Sequence, residues 1–288
     1  MMDGNGPIEP PPIQIPKSEI VPALQDRCWR CGILVPSTDA VCSRCQAPLS
    51  AKMVSPVTLT KNDNDPVVKN VAIAFGLFLL TSVLQGMILS SGRGIFDPGL
   101  PPSAYETWVA IGFVEIVDTI IVLATGLIVY RQLQPAPASW PGPIVAWCLM
   151  IPMLFVTLAV NIGYHHLLRT ITLTPMVFDV VTQDFANWHR WIWVICIQPA
   201  IVEELFFRSL LFRALRPYLN VHLTVFVTAV AFGMAHIGAP LSIPFLAAAG
   251  VTFGYLRAWT GSIWLSVVAH FLHNLAVSYI DWYMWQSS

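Results

Sequence analysis

The chain has 288 residues, of which 56% are hydrophobic and 11% charged, and its net charge is −1. An average soluble domain carries about 25% charged residues, so this composition excludes an ordinary soluble domain and places the chain in the membrane class. The near-zero net charge gives no basis for nucleic-acid binding. Charge is also unevenly spread: residues 1–70 hold 14 of the 31 Lys, Arg, Asp and Glu, and no Lys follows Lys69. Each charged residue beyond that point calls for a reason.

Residues 1–27 read as a disordered tail, spaced out by Pro7, Pro10, Pro11, Pro12, Pro16 and Pro22. They lack a basic stretch followed by an apolar run, so no secretory signal is expected and the N-terminus is expected in the cytoplasm. Residues 28–48 form a module around two CxxC pairs, Cys28 with Cys31 and Cys42 with Cys45. Four thiolates at this spacing can close a tetrahedral structural zinc site. The competing pair of disulfides is disfavoured by a cytoplasmic location. A closed four-cysteine site has no open coordination position, so it is expected to stabilise a small zinc-ribbon-like fold and to recruit a protein partner. Residues 49–70 are a polar linker.

Seven apolar runs follow, each near the ~20 residues that cross a hydrocarbon core. They are Val71–Ser90, Thr107–Tyr130, Ile144–Ile162, Trp191–Leu211, Val221–Ile237, Leu241–Arg257 and Ser262–Trp285. Backbone polar groups cannot stay unpaired in lipid, so each run is expected to be a helix. The expected fold is therefore all-α: a polytopic transmembrane bundle of about seven spans with the N-terminal cysteine module attached. Lys61, Lys69, Arg131, Arg213, Arg216 and Arg257 fall on one side of such a bundle, which the positive-inside rule makes the cytoplasm. A prokaryotic chain of this kind would sit in the plasma (inner) membrane.

Acidic residues inside a span cost several kcal/mol unless paired or hydrated, so each is a functional candidate. The fourth run contains Glu203, Glu204 and Arg208. Glu204 and Arg208 are four apart, the helical spacing that favours an ion pair. Glu203 points about 100° away and is left free to face a cavity as a general base. The fifth run ends in Phe232-Gly233-Met234-Ala235-His236, and the seventh carries His270 and Asn274 four apart on one face. Both of these side chains can donate to a developing oxyanion. Glu115 and Asp118 share a face of the second run and either line the path to the site or pair near an interface. Cys148 and Cys196 read as small packing residues, and His165, His166 and His189 as loop residues. Pro199 is expected to kink the fourth helix.

The set Glu203-Glu204-x-x-x-Arg208, Phe232-x-x-x-His236 and His270-x-x-x-Asn274 resembles the CPBP family of intramembrane proteases. That family contains the CAAX prenyl endopeptidases and bacteriocin-processing or immunity proteins. The resemblance covers roughly residues 144–285 and leaves residues 71–143 as two added helices. It implies that Glu203 activates the attacking water with help from His236, that His270 and Asn274 stabilise the oxyanion, and that Glu204 and Arg208 support them. It also implies a membrane-associated substrate, prenylated or leader-bearing, and a multi-pass location in the bilayer.

The family's metalloprotease label would make Glu203, His236 and His270 a two-histidine, one-carboxylate zinc site. Glutamate-assisted water attack can equally be written without a metal, and the sequence contains no HExxH. Two other classes fit the same composition. One is a non-catalytic membrane adaptor or immunity protein, and the other is a proton-coupled transporter. The paired donors at helical spacing favour the peptidase, since a proton relay needs no oxyanion donors.

Overall fold

A computed structural model describes residues 25–28, 34–36, 39, 41–44 and 49, then 65–172 apart from 95, 98, 101, 134 and 140, then 188–286. Near the N-terminus, strands β1 (Gln25–Arg27) and β2 (Leu34–Pro36) pair antiparallel, with Asp26 opposite Val35. This hairpin is a small β exception to the expected all-α chain. Cys28 follows β1 and is buried, as is Cys42. Cys31 and Cys45 lie outside the described residues, as do most of the expected tail and linker.

The described residues from Pro66 onward are helices and the segments that connect them. Helix α1 (Pro66–Ser90) begins ahead of the apolar run at Val71 because Asp65 caps it, accepting from the backbone N–H of Val67 at 2.8 Å. Pro66, which needs no donor, occupies the first turn. Helix α2 (Ala104–Val129) starts with a capping box in which Ser103 and Glu106 satisfy each other's backbone N–H groups. Glu106 also accepts from the N–H of Phe96, so this acid ties a loop to a helix start.

Helix α3 spans Pro143–Thr172 with Pro152 inside it. It runs past the apolar stretch that ends at Ile162, so His165 and His166 are helical and not loop residues. Cross-helix bonds hold that far end. Asn161 Nδ2 lies 3.3 Å from His273 Nε2, and the Tyr164 hydroxyl donates to the Leu241 carbonyl at 2.6 Å. Helix α4 covers 188–215 and is not uniform. It is α over Trp188–Trp191, π over Ile192–Ile197, α over Gln198–Glu204, π over Leu205–Leu211 and α again over Phe212–Leu215.

Helix α5 (Val221–Met234) is short, about 21 Å at 1.5 Å per residue. A turn containing a 3₁₀ segment at Pro240–Ser242 leads into α6 (Ile243–Thr260). The α5–α6 pair is packed backbone to backbone. A Cβ on Gly250 would lie 3.0 Å from the Ala229 Cα, and one on Gly254 would lie 2.9 Å from Val225. Small residues permit this approach, which is how helices associate without a hydrophobic driving force. Gly261, with φ near +70°, ends α6 in the left-handed conformation. Helix α7 (Trp264–Gln286) completes the bundle.

Among the described residues, α1, α2, α3 and the segment Pro240–Thr260 are long and apolar enough to cross a membrane. The apolar parts of α5 and α7 are shorter, and α4 is interrupted. The chain is thus a mostly helical integral membrane protein; among the described residues four helices are long enough to span and the remaining apolar helices are shorter, where about seven spans are expected.

Two apolar clusters frame the interior. One joins α1, α2, α4 and α5 through Phe78, Val122, Phe206, Phe207 and Phe232. The other joins α3, α6 and α7 through Met150, Phe245, Phe253 and Leu265. The polar residues singled out by sequence gather at the seam between them.

Candidate active site

The α-helical turn Gln198–Glu204 presents both glutamates. Glu204 turns inward and pairs with Arg208, Oε1 to Nη1 at 3.0 Å, with both side chains fully buried. An isolated buried charge is costly; the guanidinium is compensated by the carboxylate, a carbonyl and aromatic faces, while its Nε meets no hydrogen-bond partner. It donates through Nη2 to the Gly250 carbonyl at 3.2 Å and lies 4.5 Å over the ring of Phe232. Phe253 stands 5.5 Å from it. Arginine suits this role because its planar group bonds in its plane and stacks on aromatic faces.

Glu203 faces another way. Its Oε1 lies 3.8 Å from His236 Nε2, and its Oε2 lies 4.0 Å from His270 Nε2. Among the described residues these two histidines are its ion-pair-range neighbours. Both separations exceed a direct hydrogen bond.

Each histidine is oriented by its other nitrogen. His236 Nδ1 lies 3.0 Å from the Phe232 carbonyl. A carbonyl only accepts, so Nδ1 carries a proton, and in its neutral form His236 turns a bare Nε2 toward Glu203. His270 Nδ1 lies 3.1 Å from Glu204 Oε1, and a carboxylate paired with arginine accepts, so Nδ1–H donates to the inner glutamate and fixes the ring of the histidine that faces the outer one. The His270 ring is also clamped, stacked on Phe253 at 4.9 Å and met edge-on by Phe232 at 5.7 Å.

Asn274 has a partner that its spacing from His270 does not foretell. Its Nδ2 donates to the backbone carbonyl of Ile195 at 2.9 Å, within the π turn of α4. Gln198 holds the same region from the opposite side, donating to the Glu115 carbonyl at 2.8 Å and the Thr119 hydroxyl at 2.9 Å. The side chain of Asp118 is buried and accepts from Thr81 at 2.8 Å, an interhelical bond between α1 and α2.

The structure therefore brings Glu203, Glu204, Arg208, His236 and His270 into one connected set, with Asn274 against α4 beside it. The Glu204–His270 link and the duties of Gln198 are not visible in the sequence. Their only sequence signal is the presence of polar groups in apolar runs.

Glu203, His236 and His270 are the two-histidine, one-carboxylate set that the sequence offers for a metal. Among the described residues no group of three His, Cys, Asp or Glu is gathered closely enough to hold an ion.

Comparison with known proteins bears on the same segment. A family model described as Type II CAAX prenyl endopeptidase Rce1-like matches residues 185–276, which contain Glu203, Glu204, Arg208, His236, His270 and Asn274. The chain is also 34% identical over 77 residues to "Putative membrane peptidase YdiL" of Bacillus subtilis (strain 168). That likeness covers 27% of this chain and 31% of the relative, so it spans less than a third of the relative's own length. No solved structure matches the chain.

Proposed function

We propose that the protein is an intramembrane endopeptidase that hydrolyses a peptide bond in a membrane-associated substrate, using water activated by Glu203. The observation that carries this reading is the position of Glu203 between two histidine Nε2 atoms, at 3.8 and 4.0 Å. The buried Glu204–Arg208 pair stands directly behind one of those histidines. Similarity to a CAAX prenyl endopeptidase model and to a protein named as a membrane peptidase supports the same reading.

The steps follow from the donors available. The Glu203 carboxylate takes a proton from water as its oxygen attacks the carbonyl carbon, with the bare Nε2 of His236 holding that water. The tetrahedral oxyanion accepts from an N–H of Asn274 and, in the doubly protonated form of His270 that bonds Glu204 through Nδ1–H, from its Nε2–H. Collapse breaks the C–N bond, and the leaving amine takes the proton from Glu203. Glu204 and Arg208 touch no reacting atom in this scheme and act by positioning His270. No step is routed through a metal.

A zinc bound by Cys28, Cys31, Cys42 and Cys45 belongs to the same reading as a structural element that recruits a protein partner. The N-terminus is taken as cytoplasmic. The metal content of the purified protein tests the zinc directly: one equivalent that disappears in Cys28→Ser/Cys42→Ser supports it, and none in the wild type removes it.

The substrate class is prenylated C-terminal peptides or leader-bearing peptides in a bilayer. Wild-type protein in proteoliposomes, offered farnesylated, geranylgeranylated and leader peptides with mass-spectrometric readout, tests it. A discrete cleavage product from one class supports the proposal. No product from any class contradicts it.

A further inference from the structure

We propose that Asn274 is a positioning residue whose side-chain amide supplies the hydrogen bond that Pro199 cannot give, and so holds the broken turn of α4 that presents Glu203. Proline has no backbone N–H. In a continuous α-helix, residue 199 would donate to the carbonyl four residues back, which is that of Ile195. It is this carbonyl that Asn274 Nδ2 meets at 2.9 Å, from a different helix and 79 residues away in sequence.

The helix around Pro199 is correspondingly irregular. The N–H of Gln198 bonds the Trp193 carbonyl, a π spacing, and α spacing resumes over Gln198–Glu204. π turns inside α-helices concentrate at functional sites. A carbonyl left without a donor in a water-poor interior costs free energy, and helices that carry Pro inside a membrane recruit side chains to restore it. Asn274 Nδ2 gives the Ile195 carbonyl such a side-chain donor.

Geometry connects this bond to Glu203. Pro199 and Glu203 are four apart and share a face of α4, so any drift of the turn at 195–199 moves the carboxylate. The turn is held from two sides: Gln198 fastens it to Glu115 and Thr119 of α2, and Asn274 fastens it to α7. An asparagine amide has two N–H groups. One is engaged by Ile195, and the other is the one assigned above to the oxyanion. The positioning role reads on catalysis only through the proposed peptidase function, whereas the bond to Ile195 stands independently of it.

A double-mutant cycle separates the two. Wild type, Asn274→Leu, Pro199→Ala and the double variant are purified in detergent, and their thermal midpoints and cleavage kinetics are measured. Asn274→Leu is expected to lower the midpoint by about 2–4 °C when residue 199 is Pro. In the Pro199→Ala background, where the backbone N–H returns, the same replacement is expected to cost less than half as much. Part of the lost kcat is expected to recover in the double variant with KM unchanged.

An equal drop in both backgrounds, or no drop in either, overturns the proposal. Should Asn274→Leu not yield folded protein, amide exchange in Asn274→Ser replaces the midpoint. Faster exchange confined to residues 192–198 supports the role, and unchanged exchange there overturns it. Absence of cleavage in all four proteins, with the thermal coupling present, counts against the peptidase reading alone.

Discussion

His270 Nδ1 and Glu204 Oε1 lie 3.1 Å apart, joining α7 to α4 in a fully packed interior. Glu204 is held at the same oxygen by Arg208 at 3.0 Å. One carboxylate oxygen thus links the arginine, which is buried in an aromatic cage, to the histidine that faces Glu203. The inner glutamate is the hinge of the arrangement and not a bystander beside a catalytic neighbour.

Removing one partner of that buried pair should be severe. Arg208→Met leaves Glu204 uncompensated, and breaking a buried ion pair costs about 3–5 kcal/mol. Adding Glu204→Gln should recover most of that stability, because the uncompensated charge is gone. Thermal unfolding in detergent checks both variants, and a double variant no more stable than Arg208→Met would contradict the pairing account.

The turn that carries His236 is pinned by α1. The N–H of Gly238 donates to the Ser82 hydroxyl at 3.0 Å, and a Cβ on Gly86 would lie 2.6 Å from the Gly238 Cα. A Cβ on Gly238 would collide with the Ser82 carbonyl oxygen. Gly238→Ala should therefore force α1 away from the α5–α6 turn, at about 1–3 kcal/mol by the usual cost of overpacking. It should also reduce cleavage by moving His236. Gly76 has open space around it, so Gly76→Ala is the matched control and should leave both quantities unchanged.

Outside the spans, the Tyr218 hydroxyl donates to the Asp65 carboxylate, tying the start of α1 to the turn after α4. The bond favours the neutral phenol, and Asp65 with partial burial pushes the Tyr218 pKa up to about 12. A raised pKa means the bond's contribution is complete below the ordinary tyrosine value of about 10. It is then lost as pH rises through about 12. Ultraviolet titration of wild type and Asp65→Asn should show one phenol moving down in the variant. An unchanged curve would mean that the pair does not form.

The six polar residues were legible because charge is scarce after residue 70 and because Glu204 and Arg208, like His270 and Asn274, sit at helical spacing. What joins them was not legible. The contact between Glu204 and His270 and that between Asn274 and Ile195 depend on how helices pack, which a single-sequence period cannot express. The π turns flanking the glutamates break the 3.6-residue period on which angular reasoning along α4 relies. The helical extent of α3 was missed because its end is held by Asn161 and Tyr164 and not by an apolar run. The start of α1 was missed because the Asp65 cap lies in a polar stretch.

The most direct test compares wild type with Glu203→Gln, an isosteric change that cannot take a proton from water. Both are assayed in the same detergent against the same peptide set, with and without a chelator. The account predicts that Glu203→Gln keeps its thermal midpoint and loses cleavage by about 10² to 10⁴-fold, the usual contribution of a general base. Equal cleavage by the two proteins would contradict it.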